Sequence, residues 1–223
     1  MIDKRYASAA AAIADCADLH DGAVVLVGGF GDAGVPGHLL DAVRESCVRE
    51  LTVVSNNAGA GDYGLAQLIA TGCVAKMVCS FPRSSGSVVF EELYAAGRIA
   101  LEIVPQGTLA ERIRAGGAGI PAFYTPTAYG TPLAEGKETR DFDGRHYVME
   151  RAIRGDLALV HAASGDRWGN LTYAKTARNF NPVMAMAANT TIAEVRETTA
   201  MVDPEAVVTP GIFVDRIVEV GHP

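Results

Sequence analysis

Short apolar runs alternate with segments of helical period through the first half of the chain. Ala23–Gly28 (AVVLVG), Leu51–Ser55 (LTVVS), Lys76–Ser80 (KMVCS) and Ala100–Val104 (ALEIV) read as strands. Between them, Pro36–Val48 places Leu39, Leu40 and Val43 at helical spacing, and Leu65–Ala70 and Val88–Ala96 read as helices too. Thr108–Ala115 reads as a fourth helix, opened by a capping box of Thr108 and Glu111. Strands without a polar face, separated by helices, must be covered on both sides. The pattern therefore predicts an α/β fold: an open, mostly parallel sheet with helices on both faces.

The second half is less regular. Gly116–Glu135 is rich in Gly, Pro, Thr and Tyr and reads as a long ordered loop. Arg145–Met149 and Leu157–His161 read as strands, and Ser164–Asn170 as a turn leading into Leu171–Tyr173. A helix is expected over Asn181–Ala188, then strands over Thr191–Val195 and Ile212–Val220. At the N-terminus, Tyr6, Ala10, Ile13 and Ala17 form one helical stripe. Lys4 and Arg5 before an alanine run imitate a signal peptide. The run is weakly hydrophobic, however, and Asp15 and Asp18 follow at once. No repeat or linker divides the chain, so residues 1–223 are expected to form a single domain.

Hydrophobic residues make up 49% of the 223 and charged residues 20%, which excludes intrinsic disorder. The net charge is −7, and no Lys/Arg cluster exceeds two residues, so nucleic acid and anionic membrane are poor partners. No run approaches the ~20 apolar residues of a membrane span. Cys16, Cys47, Cys73 and Cys79 contain no C-x-x-C; free, buried thiols in a reducing cytoplasm are expected.

Gly29-Phe30-Gly31-Asp32-Ala33-Gly34 is a formal G-x-G-x-x-G between a strand and a helix. Glycines let a backbone approach a ligand, and a helix N-terminus attracts anionic groups. A dinucleotide-binding oxidoreductase is one reading, but the next strand ends in Ser55-Asn56-Asn57, without the acid that would hold a ribose. A tight turn with no ligand is the other.

The stretch Asp21–Pro36 resembles the signature of the family I coenzyme A transferases, in particular their A (alpha) half. Val54–Gly59, Pro105–Gly117, Tyr124–Thr127, Glu135–Glu138 and Ala177–Asn181 extend the resemblance over nearly the whole chain. It implies transfer of coenzyme A from an acyl-CoA donor such as succinyl-CoA to a 3-oxoacid. A glutamate nucleophile forms an anhydride and then a glutamyl-CoA thioester. In the family that glutamate lies in Ser-Glu-Asn-Gly of the B (beta) subunit, a motif absent from this sequence. The resemblance thus implies no catalytic residue here, a B (beta) partner in a cytoplasmic α2β2 hetero-oligomer, and no cofactor beyond the coenzyme A thioester substrate. It assigns Gly28, Gly29, Phe30, Gly31, Asp32, Ala33 and Gly34 to coenzyme A. Asn56, Asn57 and Gln106 follow strands at the carboxyl edge of the sheet, where their amides suit a carboxylate or thioester oxygen; each is also an ordinary turn residue.

Gly165–Tyr173 and Met184–Ala188 resemble the branch of the family that uses 3-oxoadipate; a sister branch uses acetoacetate. A second substrate carboxylate needs a cation, and Arg83 in Phe81-Pro82-Arg83 could supply it, although a surface role fits equally. His20, His38, His146, His161 and His222 show no metal-ligand spacing, and none of the serine-elbow or phosphate-loop motifs is present. A purely scaffolding role remains as a non-enzymatic reading.

Overall fold

The computed structural model describes residues 2–83 and 86–221; His222 lies outside them. In chain order, the first half holds β1 (Arg5–Tyr6), α1 (Ala9–Ala14), β2 (Val24–Val27), α2 (Gly37–Glu45), β3 (Leu51–Val54), α3 (Gly64–Ala70), β4 (Val74–Cys79), α4 (Val89–Ala95), β5 (Ala100–Ile103) and α5 (Gln106–Gly117). The second half holds β6 (Ala122–Thr125), β7 (Thr139–Phe142), β8 (Arg145–Arg151), β9 (Gly155–Asp166), β10 (Leu171–Thr172), α6 (Asn181–Ala185), β11 (Ala188–Thr199) and β12 (Arg216–Glu219). Among the described residues, nine strands form one sheet, ordered β1-β12-β11-β9-β2-β3-β4-β5, with β10 folded back on β9. Every pairing but that of β10 is parallel. β6, β8 and β7 form a separate antiparallel sheet.

The expected two-sided burial is seen directly. Val25 and Val27 of β2 join one core with Ile13 of α1, Leu39 and Leu40 of α2, Leu68 of α3 and Phe90 of α4. Leu26, one residue out of phase, joins the opposite core with Leu109 and Ile113 of α5 and Met184 of α6. After β1 at one edge, the chain crosses to the middle of the sheet at β2, steps outward to β5, and returns on the other side of β2 as β9, β11 and β12. Its direction reverses between β2 and β9. In open α/β sheets ligands bind outside the carboxyl ends of the strands at such a reversal.

Several expectations are corrected. Gly116–Glu135 is not one loop: it completes α5, supplies β6 and ends in a 3-10 turn at Pro132–Ala134. Its strand is only four residues between Pro121 and Pro126, too short to show a period. The capping box does not form. Helix α5 begins two residues before Thr108, which is buried inside it, and Glu111 turns to the Arg114 guanidinium at 2.7 and 2.8 Å instead. Tyr6 pairs in β1 rather than joining the first helix, which starts after Ser8, whose Oγ accepts from the Ala11 amide at 3.1 Å. Strand β9 absorbs Ser164–Asp166, and the last strand starts at Arg216 because Gly211–Phe213 is a 3-10 turn. Helix α6 stops at Ala185, where the chain turns into β11. All four cysteines are free, but only Cys16 and Cys79 are buried, and Cys47 is exposed. Burial pushes the Cys79 thiol up to about 11, so it stays protonated and inert. No helix among the described residues is long and apolar enough to cross a membrane.

Candidate functional site

The glycine-rich segment leaves β2 at the reversal point. Phe30 and Ala33 exchange backbone hydrogen bonds at 3.0 and 3.1 Å, closing a tight turn. The segment is held from the β9 side by two asparagines far along the chain. The Gly29 amide donates to Asn179 Oδ1 at 3.1 Å, and Asn179 Nδ2 donates to the Ala33 carbonyl at 2.9 Å. Asn181, fully buried, donates through Nδ2 to the Gly34 carbonyl at 3.1 Å and accepts from the His161 amide at 2.9 Å.

This packing accounts for three glycines. A Cβ on Gly28 would overlap Asn181 Oδ1, and one on Gly34 would overlap the Ala177 carbonyl. Gly29 has φ +125°, and a Cβ there would lie 2.7 Å from Val35 Cγ2. Gly28, Gly29 and Gly34 therefore have a reason within the chain itself for lacking a side chain, apart from any ligand. Gly28 and Gly29 admit side chains of the chain itself, and Gly34 admits a backbone carbonyl and the Asn181 amide. A Cβ on Gly31 would meet nothing within 4 Å, and among the described residues no group accepts from the Gly31 or Asp32 amide.

Because the asparagines fill the β9 side, the open recess lies over β2 and β3. Gly31 and Asp32, Ser55 and Asn57 beyond β3, and Tyr63 ahead of α3 line it. The Tyr63 hydroxyl donates to Asp32 Oδ1 at 2.8 Å, bridging the two loops, and this bond raises the Tyr63 pKa. No basic residue is among the described lining, and its one charged group is Asp32. Phe30 and Phe81, after β2 and β4, and Tyr63, ahead of α3, are exposed aromatics.

Of the other expected site residues, only Asn57 reaches the recess among the described lining. Asn57 lines the recess but also folds its own loop, Oδ1 accepting from the Gly59 amide at 2.9 Å. Asn56 is buried and turned toward β4, Oδ1 accepting from Ser80 Oγ at 2.8 Å. Gln106 is the exposed first residue of α5, after β5, three strands or about 14 Å from β2. Arg83 is exposed and pairs with Glu91 at 2.8 Å, outside the recess. The sequence reading missed Ser55, Tyr63, Asn179 and Asn181 as site residues. The last two stand in the Ala177–Asn181 block that carried the resemblance, so the signal was present without its structural meaning.

Residues 6–220 match the family model described as Coenzyme A transferase. The chain belongs to the coenzyme A transferase family. It is 59% identical over 222 residues to the A component of the 3-oxoadipate CoA-transferase of Acinetobacter baylyi, covering 99% of this chain and 96% of that protein. Over 217 residues it is 54% identical to the A component of the succinyl-CoA:3-ketoacid coenzyme A transferase of Xanthomonas campestris, covering 96% and 88%. The fold matches the acyl-CoA transferase YdiF of Escherichia coli with a TM-score of 0.83 at 22% identity, over 98% of this chain and 47% of that one. In this coenzyme A transferase chain the recess is the part of the reversal point left open.

Proposed function

We propose that the protein is the A (alpha) half of a transferase that moves coenzyme A from succinyl-CoA to a 3-oxoacid, 3-oxoadipate in particular. The carrying observation is the 59% identity, over nearly the full length of both chains, to the corresponding half of a 3-oxoadipate CoA-transferase. A B (beta) subunit supplies the nucleophilic glutamate, in a cytoplasmic α2β2 hetero-oligomer. The partner's carboxylate attacks the thioester carbonyl and expels the thiolate. The thiolate then attacks the resulting anhydride, releasing the first acid and leaving a glutamyl thioester, and the second acid reverses the sequence.

This chain's share is binding and orientation. A recess with no cation among its described lining, holding the Asp32 carboxylate, is a poor place for phosphates and suits the uncharged, thioester-bearing part of coenzyme A. The Gly31 and Asp32 amides are then donors for an oxygen that gains charge in the transition state. The same carboxylate disfavours a dinucleotide, whose pyrophosphate would sit on this loop.

The chain alone is expected to be folded and inactive. Activity should appear on adding a beta partner that carries the glutamate, with ping-pong kinetics. Transfer by the purified chain alone, or none with any such partner, would overturn the reading.

Arg83 offers a residue-level test of the choice of acid. If its guanidinium leaves Glu91 for the far carboxylate of 3-oxoadipate, Arg83→Ala should lower kcat/KM for that acid about ten- to hundred-fold, from a lost charge-assisted hydrogen bond worth about 1.5–3 kcal/mol. Turnover of acetoacetate, which has no second carboxylate, should stay within about twofold. Equal effects on both acids would remove Arg83 from substrate choice.

A further inference from the structure

Glu194 and His161 take no part in the reaction above, yet they sit directly behind the glycine loop. Both point to the face of the sheet covered by α1 to α4, as do Leu157, Leu159 and Ile192, each an even number of residues away. They are neighbours in register across β9 and β11. The Glu194 side chain is only 3% exposed. Its Oε1 lies 3.0 Å from His161 Nδ1. Its Oε2 accepts from the Leu39 amide at 3.1 Å and lies 3.8 Å from the exposed His38 ring.

Leu39 is in the first turn of α2, the helix that ends the glycine loop. That helix starts behind Pro36 with no side-chain cap and no acidic residue in its first turn. A buried carboxylate from across the sheet therefore does what an N-cap does: it accepts from an unpaired first-turn amide and places negative charge at the helix start. His161 serves both anchors of the loop. Its ring holds Glu194, and its backbone amide holds Asn181, which in turn holds Gly34.

We infer that Glu194, held by His161, is a positioning residue that sets the glycine loop for coenzyme A by pinning the start of α2. The kinetic part rests on the transferase reading; the loop part does not. Two variants separate positioning from simple stability. Glu194→Ala leaves the Leu39 amide without its acceptor. Glu194→Gln can still accept from Leu39 and donate to a neutral His161 Nδ1.

In hydrogen exchange on the chain alone, Glu194→Ala should speed exchange about tenfold or more at residues 31–40, with the β9 and β11 amides unchanged. Glu194→Gln should restore protection. In the assembled enzyme, Glu194→Ala should raise KM for the CoA thioester about tenfold with kcat within about threefold, and Glu194→Gln should return KM to within about threefold of wild type. Unchanged exchange at residues 31–40, or faster exchange spread evenly over the sheet, would overturn the inference. So would a loss confined to kcat. If the wild-type complex transfers no coenzyme A, the functional reading fails while the exchange result still decides the role of Glu194 in the loop.

Discussion

The Gly28→Ala variant is expected to lose roughly 3–5 kcal/mol of stability, about 10 °C in Tm, together with most of its transferase activity. The added methyl would occupy the position of Asn181 Oδ1, in a side chain that is fully buried. Asn181 cannot yield without releasing the His161 amide and the Gly34 and Ala177 carbonyls, which it holds at 2.9, 3.1 and 2.9 Å. Each buried polar group left unpaired costs about 1–3 kcal/mol, on top of the about 1–3 kcal/mol of overpacking itself. Gly31→Ala is the control. It meets no atom within 4 Å at φ +57°, so only the left-handed backbone is strained, by about 1 kcal/mol. Thermal melts of the two variants should therefore differ clearly. Equal Tm values would show that Asn181 does not clamp the loop.

An effect of similar size is expected from Asp166→Ala, far from the glycines. Asp166 ends β9 fully buried and accepts four hydrogen bonds: from the amides of Trp168, Asn170 and Val202 at 3.0, 3.1 and 3.1 Å, and from Asn170 Nδ2 at 3.0 Å. Burial pushes its pKa up, but these donors, the Asn170 side chain foremost, outweigh burial and hold it below the usual carboxylate value. The loss should be roughly 3–5 kcal/mol at pH 7, since four donors lose one acceptor. The pH dependence has a definite sign. A depressed pKa stabilises the fold above the unfolded value, about 3.9, and that contribution disappears as pH falls through the folded value. The Tm gap between wild type and Asp166→Ala should thus be widest at neutral pH and narrow below about pH 4. A gap that does not change with pH would assign the loss to packing alone.

The parts legible in the sequence are those set by local pattern. Val25, Leu26 and Val27 announce a strand buried on both sides because each faces a core, and the G-x-G-x-x-G marks the turn that follows. What was not legible depends on partners distant in the chain. Glu111 satisfied the spacing of a capping box, but Arg114, one turn on, offered two charged hydrogen bonds. Ala122–Thr125 is a strand because β8 lies beside it. Gly28 entered the reading of the site only through the resemblance, as part of a loop for coenzyme A, while its need to be a glycine lies in Asn181. Asn56 and Asn57 are adjacent and chemically identical, yet one turns to Ser80 and the other to the recess, a difference that only the exit of β4 decides.

The clamps on the glycine loop span unusual lengths of chain: Asn181 reaches Gly34 across 147 residues, and Glu194 reaches Leu39 across 155. Closing such loops costs entropy that only the finished contacts repay, and interactions of this separation form late. During synthesis from the N-terminus, β2, the glycines and α2 emerge long before the strands that fasten them. The strands β2–β5 are made first, but the glycine loop is fastened only once β9, α6 and β11 have joined the sheet. On the proposed reading of this loop, readiness to bind coenzyme A would report that the C-terminal half has been made and has folded.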